Sequence, residues 1–354
     1  MFRKIVSALG LVGVFTAVAV SSSSAAPTPT TPESARTALA AAAQTSMSAV
    51  SALGSSSPIR TVKSLTNGQT VQAFRYHTQS ADNVADVWFD TDWLGGAPRE
   101  AIITVHGGSW HNATRKNSDK AAQKWLDAGF VVMNIDYRLA ADHPALPDSG
   151  ATGTVLGSRW PAQRIDVALA YDWLKANAAQ FNVDPNSVGL YGFSAGGHIA
   201  NVAAGYYGTT RFKASASISG IQQPHRLADI AMNSTWGSDS VSPTIVKVFG
   251  YETSLIGCSY EPTWSDCGGK WNSIKPETYF GADKPALYAI KGDVDPAEPI
   301  TSLTATEYWL DKAGQDHLTV AVPGRGHDEY LVLGTGTDDV ARWNQLVTWM
   351  RSKL

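Results

Sequence analysis

The 354-residue chain predicts an α/β fold, a mostly parallel sheet flanked by helices. Two observations carry that expectation. From residue 101 onward, short apolar runs alternate with amphipathic windows, the pattern of strands joined by crossover helices. The composition, 44% hydrophobic and 17% charged, is that of a chain that buries a large core.

The extended segments are expected in order at 71–77 and 84–89, where β-branched and aromatic residues dominate, and then at 102–105, 131–135, 188–191, 214–218, 287–290 and 318–322. Helical windows fall at 120–128, 164–181, 197–204, 304–313 and 340–353. In the second window Ile165, Leu169 and Trp173 recur every four residues, which predicts one face turned to the sheet. The alternation breaks once. Residues 221–284 show no clear period, hold both cysteines together with Trp236, Tyr260, Trp264 and Trp271, and read as a cap or rim insertion.

Ahead of the α/β region, set at 60–354, Arg3 and Lys4 precede an apolar run over 5–20 and a small-residue zone over 21–26. This reads as a signal peptide of residues 1–25, hence a secreted protein. The alternative, an uncleaved anchor, meets a run shorter than the ~20 residues that span a bilayer. Residues 26–59 are Pro/Thr-rich and then Ala/Ser-rich, with little to build a core. A formal charge of −3 gives no reason to expect nucleic acid as a partner. Cys258 and Cys267, nine positions apart in an exported chain with no histidine between them, are expected to form a disulfide rather than a metal site.

The strongest chemical signal is Gly192-Phe193-Ser194-Ala195-Gly196-Gly197, which follows an apolar strand and opens a helix. A serine on a tight strand-to-helix turn is exposed for attack, and small neighbours avoid clashes within the turn. The second is His106-Gly107-Gly108-Ser109-Trp110 after the strand at 102–105. Glycine there lets backbone N–H groups approach a developing oxyanion, with Gly108, Ser109 and Ala195 as candidate donors.

A serine hydroxyl needs a histidine held by a carboxylate. His327, in Gly324-Arg325-Gly326-His327-Asp328 after the last strand, is the candidate base. His198 is too near Ser194 in sequence to face it, and His106 is expected to tie down its own loop. The acid belongs to Lys291-Gly292-Asp293-Val294-Asp295-Pro296. Asp295 is favoured because the turn at Pro296 carries it away from the sheet, with Asp293 the alternative.

These motifs, with Asp136-Tyr137-Arg138-Leu139 and Trp160-Pro161-Ala162 leading to Asp166, resemble the α/β-hydrolase carboxylesterases of the hormone-sensitive-lipase-like and bacterial feruloyl-esterase-like groups, over 101–354. Ser194, Asp295 and His327 follow that fold's order of nucleophile, acid and base. Ser109 departs from the third glycine common in those groups. The resemblance implies a cofactor-free serine esterase acting on small-molecule or polysaccharide-linked esters, among them feruloyl groups. Trp110 and the insertion's Tyr260, Trp264 and Trp271 are the expected substrate contacts, aromatic faces suited to a phenolic acyl group or a sugar ring; packing within the insertion is the alternative for its three. An amide hydrolase with the same triad, or a non-catalytic binding protein on this scaffold, are the competing functions.

Overall fold

A computed structural model describes residues 53–64, 68–224, 243–258 and 269–354. The segments read as signal peptide and N-terminal spacer thus lie almost wholly outside the described residues, as do Trp236, Tyr260, Trp264 and Cys267.

Nine strands form one sheet: β1 (Arg60–Ser64), β2 (Gln69–Arg75), β3 (Val84–Asp90), β4 (Arg99–Val105), β5 (Val131–Ile135), β8 (Val183–Phe193), β9 (Ala214–Ile218), β10 (Ala286–Gly292) and β11 (His317–Val322). The two-residue strands β6 (His143–Pro144) and β7 (Thr154–Val155) pair separately. The sheet order is β1-β2-β3-β5-β4-β8-β9-β10-β11. The first three strands join antiparallel and everything from β5 to β11 runs parallel. Each expected strand is present within a few residues, and 131–135 and 214–218 match outright.

Strand side chains alternate between two cores. Along β4, Ala101, Ile103 and Val105 face one cluster and Ile102 the other. The first core is closed by α2 (Ala162–Ala176) and α3 (Ala195–Tyr207), the second by α1 (Asp119–Asp127) and α8 (Thr337–Arg351). The buried stripe of α2 differs from the expected one. Ile165 and Leu169 are only half-buried, whereas Asp166, Val167, Ala170, Trp173 and Leu174 are covered. Small alanines let the helix sit close to the sheet, and Asp166 turns inward because it holds Arg138 in a bidentate pair at 2.7 and 3.0 Å. α2 also ends at Ala176, five residues early, where the Asn177 amide donates to Trp173 O at 2.8 Å and draws the chain into a 3₁₀ turn.

The insertion carries α4 (Pro243–Ile256), the single turn α5 (Lys270–Ser273) and a 3₁₀ turn (Pro276–Tyr279). Trp160 ties it to the body, its backbone N–H donating to Leu255 O at 2.9 Å and its indole N–H to Ser273 Oγ at 3.1 Å. After it come β10, α6 (Ile300–Ala313), β11 and the short α7 (Tyr330–Leu333).

Candidate active site

β8 delivers Ser194 at φ 54°, ψ −122°, the strained elbow its sequence context predicts. Glycine is required on its far side. A Cβ on Gly196 would lie 2.1 Å from Val105 O and 2.5 Å from His106 O, so the elbow and the loop after β4 touch backbone to backbone. That loop runs through three successive left-handed residues, Gly108 (φ 104°), Ser109 (φ 54°) and Trp110 (φ 63°). Two of them carry side chains, at a cost on the order of 1–2 kcal/mol each. The carbonyl of Gly108 is turned into the loop, where it accepts from His111 and Asn112 N–H groups at 3.1 Å.

Around Ser194 the strand ends are stitched across the sheet. Ser194 N–H donates to Ile218 O at 2.9 Å and Ser219 N–H to Ile290 O at 2.8 Å. The Ser219 hydroxyl donates to Asp328 O at 3.2 Å, fixing the histidine loop. His327 Nε2 lies 2.8 Å from Ser194 Oγ. Its Nδ1 lies 2.9 and 3.1 Å from Asp295 Oδ2 and Oδ1. The three residues chosen from the sequence therefore meet. Asp295 is buried, whereas Asp293 is exposed and accepts from Gly324 N–H at 2.7 Å, as part of the turn.

Asp295 also accepts from Ala297 N–H at 2.8 Å and from the Lys291 ammonium at 2.9 Å. Burial alone would raise its carboxyl. The His327 hydrogen bond and the Lys291 charge outweigh burial and bring it down to about 2, so the carboxylate stays ionised. The remaining histidines of the two glycine motifs are structural. His106 stacks on Tyr137 with 4.3 Å between ring centroids and bonds Gly107 O at 2.7 Å, as expected of a loop tie. His198 accepts from the Trp110 indole at 3.2 Å and donates to Ile274 O at 2.7 Å, joining the elbow helix, the Trp110 loop and the insertion. Burial lowers both imidazoles to about 4, so they are neutral.

Ser109, Trp110, Ser194, Ala195 and His327 line one side of a pocket of about 290 Å³. Ile221, the α4 residues Thr244, Lys247, Val248 and Tyr251, and Ala297 line the other. Of the insertion aromatics, Tyr260 and Trp264 lie outside the described residues. Trp271 does not fit its expected substrate role. It is fully buried in the first core, 6.1 Å from Phe249, on the inner face of a helical turn. Tyr251 stands at the pocket in its place; it went unnoticed because no helical period was recognised between 243 and 256.

Sequence reasoning also missed Lys291 and Glu298, both fully buried behind Asp295. One signal was available: Lys291 interrupts the apolar strand Ala-Leu-Tyr-Ala-Ile-Lys-Gly, where an ammonium needs a buried partner.

Ser194 at the turn after the central parallel strand, with Asp295 and His327 on the loops after the next strands but one and two, is the arrangement of an α/β-hydrolase fold. The chain belongs to the BD-FAE family, whose model matches residues 94–310. Among curated relatives, esterase LipQ of Mycobacterium tuberculosis is 23% identical over 274 residues, 74% of this chain and 59% of LipQ. Carboxylesterase NlhH of the same organism is 32% identical over 104 residues, covering 29% of this chain and 28% of NlhH. The chain thus aligns with less than two thirds of the length of these relatives. Among solved structures, a truncated carbohydrate esterase from gut microbiota superimposes with a TM-score of 0.60 at 21% identity, covering 85% of this chain and 100% of that one. Esterase B of Lactobacillus rhamnosis gives 0.63 at 16% identity, covering 90% and 94%. These two likenesses show the fold.

Proposed function

We propose that this protein is a secreted serine hydrolase of carboxylic esters that acts on short-chain or aryl acyl groups, such as acetyl or feruloyl groups on polysaccharides. The 2.8 Å contact between Ser194 Oγ and His327 Nε2, backed by ionised Asp295, carries the reading. In the reaction His327 takes the Ser194 proton as the oxygen attacks the acyl carbonyl. The N–H groups of Gly108, Ser109 and Ala195 are the donors to the oxyanion, and Ser109 and Ala195 line the same pocket as Ser194; losing one such donor typically costs about 3 kcal/mol. His327 returns the proton to the leaving alcohol, then activates the water that frees the acyl-enzyme.

The small pocket, walled by Trp110, Tyr251 and Val248, suits a short or flat acyl group better than a long chain. A relative named acetylxylan esterase (Xylanibacter ruminicola, 28% identical over 103 residues, 29% of this chain and 18% of the relative) supports a carbohydrate-linked substrate. Export rests on the basic, apolar and small-residue order of residues 1–26. A Cys258–Cys267 bridge rests on their spacing and on there being no free cysteine among the described residues. Mass spectrometry of the secreted protein is expected to find no free thiol, and two free thiols would exclude the bridge.

The deciding experiment is labelling by a fluorophosphonate probe, combined with turnover of an aryl acetate and its matching anilide. The unsubstituted protein should label and cleave the ester in preference to the anilide. Ser194→Ala should abolish labelling and lower ester turnover by roughly 10⁴-fold or more with folding intact. Unlabelled native protein would favour a binding scaffold, and anilide preference an amide hydrolase.

A further inference from the structure

Behind the acid of the triad lies a second charged pair that a serine hydrolase does not need for its chemistry. Lys291 Nζ stands 2.9 Å from Asp295 Oδ2 and 3.1 Å from Glu298 Oε2, and all three side chains are buried. Glu298 is itself fastened, accepting from Gln222 N–H at 2.9 Å and Gln223 N–H at 2.8 Å, the residues just after pocket-lining Ile221. His327 Nδ1 reaches the same Oδ2 at 2.9 Å. Two cations therefore compete for one carboxylate oxygen whenever the imidazole is protonated, and they stand no more than about 6 Å apart, the sum of two such contacts.

We propose that the buried Lys291–Glu298 pair is a positioning device that acts on His327 through Asp295 and sets the pH below which catalysis fails. The inference rests on the triad reading above. Lys291 disfavours the imidazolium and carries activity toward acid, while Glu298 moderates it by neutralising part of the ammonium's field. At this separation the ammonium and a protonated imidazole repel appreciably even at an effective dielectric of ~20, and the countercharge on Glu298, 3.1 Å from Lys291 Nζ, offsets part of that repulsion.

The other ionisable groups around the acid and base loops do not supply this effect. Glu252 on α4 is fully buried with neither carboxyl oxygen hydrogen-bonded, and burial, reinforced by the Glu298 charge, raises it well above the carboxylate range, so it is neutral. Asp328 pairs outward with Arg325 at 2.8 Å. Glu329 accepts from the Tyr191 hydroxyl at 3.1 Å and is pushed by burial up to about 7; it titrates in the same range but is common to every variant compared below, so it does not account for a limb that moves with Lys291 or Glu298. Lys247 lines the pocket from α4 but is exposed to solvent, which screens its charge. Lys291 is held protonated: burial would lower it, but Glu298 and Asp295 raise it above the usual lysine value.

The test is the acid limb of kcat/KM against pH for an aryl acetate, measured on the full chain with fluorophosphonate labelling alongside. Lys291→Met should move the limb to higher pH by roughly half a unit or more, and Glu298→Gln should move it lower. Where a single variant fails to fold, Lys291→Met/Glu298→Gln leaves no orphan charge, and its limb should also move upward, because the lost cation touches Asp295 and the lost anion reaches it only through that cation. Glu252→Gln should leave the limb in place. A merely structural pair would lower kcat without moving any limb. Unmoved limbs in the lysine and double variants, with Ser194 still labelled, overturn the proposal and leave the triad standing. Absence of labelling in the native protein overturns both.

Discussion

Asp293 and Asp295 are chemically identical and two positions apart, and burial distinguishes them. The turn at Pro296 swings Asp295 under His327, where three donors hold it, while Asp293 stays at the surface capping Gly324. Asp295→Asn should therefore lower ester kcat by about 10⁴-fold, because the amide stabilises the wrong tautomer of the imidazole. Asp293→Asn should change it less than about threefold, and steady-state kinetics with an aryl acetate checks both. A larger loss at Asp293 would reverse the assignment. At this scale the sequence was legible wherever chemistry demands a residue type in a fixed context: serine between glycines, histidine after the last strand. It was opaque where partners come from distant segments. Nothing near His198 foretells that it is wedged between the Trp110 indole and Ile274 O, and nothing near Lys291 names Glu298.

The insertion shows the same divide among elements. Its existence followed from a broken alternation, but which aromatic faces the substrate depended on helix phase. α4 presents Thr244, Lys247, Val248 and Tyr251 to the pocket, the three- and four-residue spacing of one helical face, while Ile245, Leu255 and Ile256 enter the core. Trp271, with no exposure at all, belongs to the packing. Trp271→Ala should thus destabilise the protein by about 3–5 kcal/mol without altering its preference between aryl and acetyl esters. Tyr251→Ala should change that preference and leave the melting temperature nearly unmoved. Thermal melts paired with kcat/KM ratios separate the two, and a shifted ratio for the Trp271 variant would return that residue to the site.

For the whole molecule, the parallel sheet was readable because its central strands are short apolar runs, covered on both faces and separated by helices. Strand order and the antiparallel start were not, since pairing partners leave no local trace. That order has a consequence for how the protein is lost under stress. Ser194 leaves β8, a strand with neighbours on both sides, whereas His327 leaves β11, which among the described residues is paired only to β10 and is half-uncovered along most of its length. An outermost strand opens at lower free energy than the interior of a sheet. In a urea titration, ester turnover should accordingly vanish at a lower concentration than the tryptophan fluorescence change that reports collapse of the core, and amide exchange along β11 should outrun that along β8. The nucleophile would then outlast its base, leaving over a narrow range of denaturant a folded protein with an intact serine elbow and no means of deprotonating it.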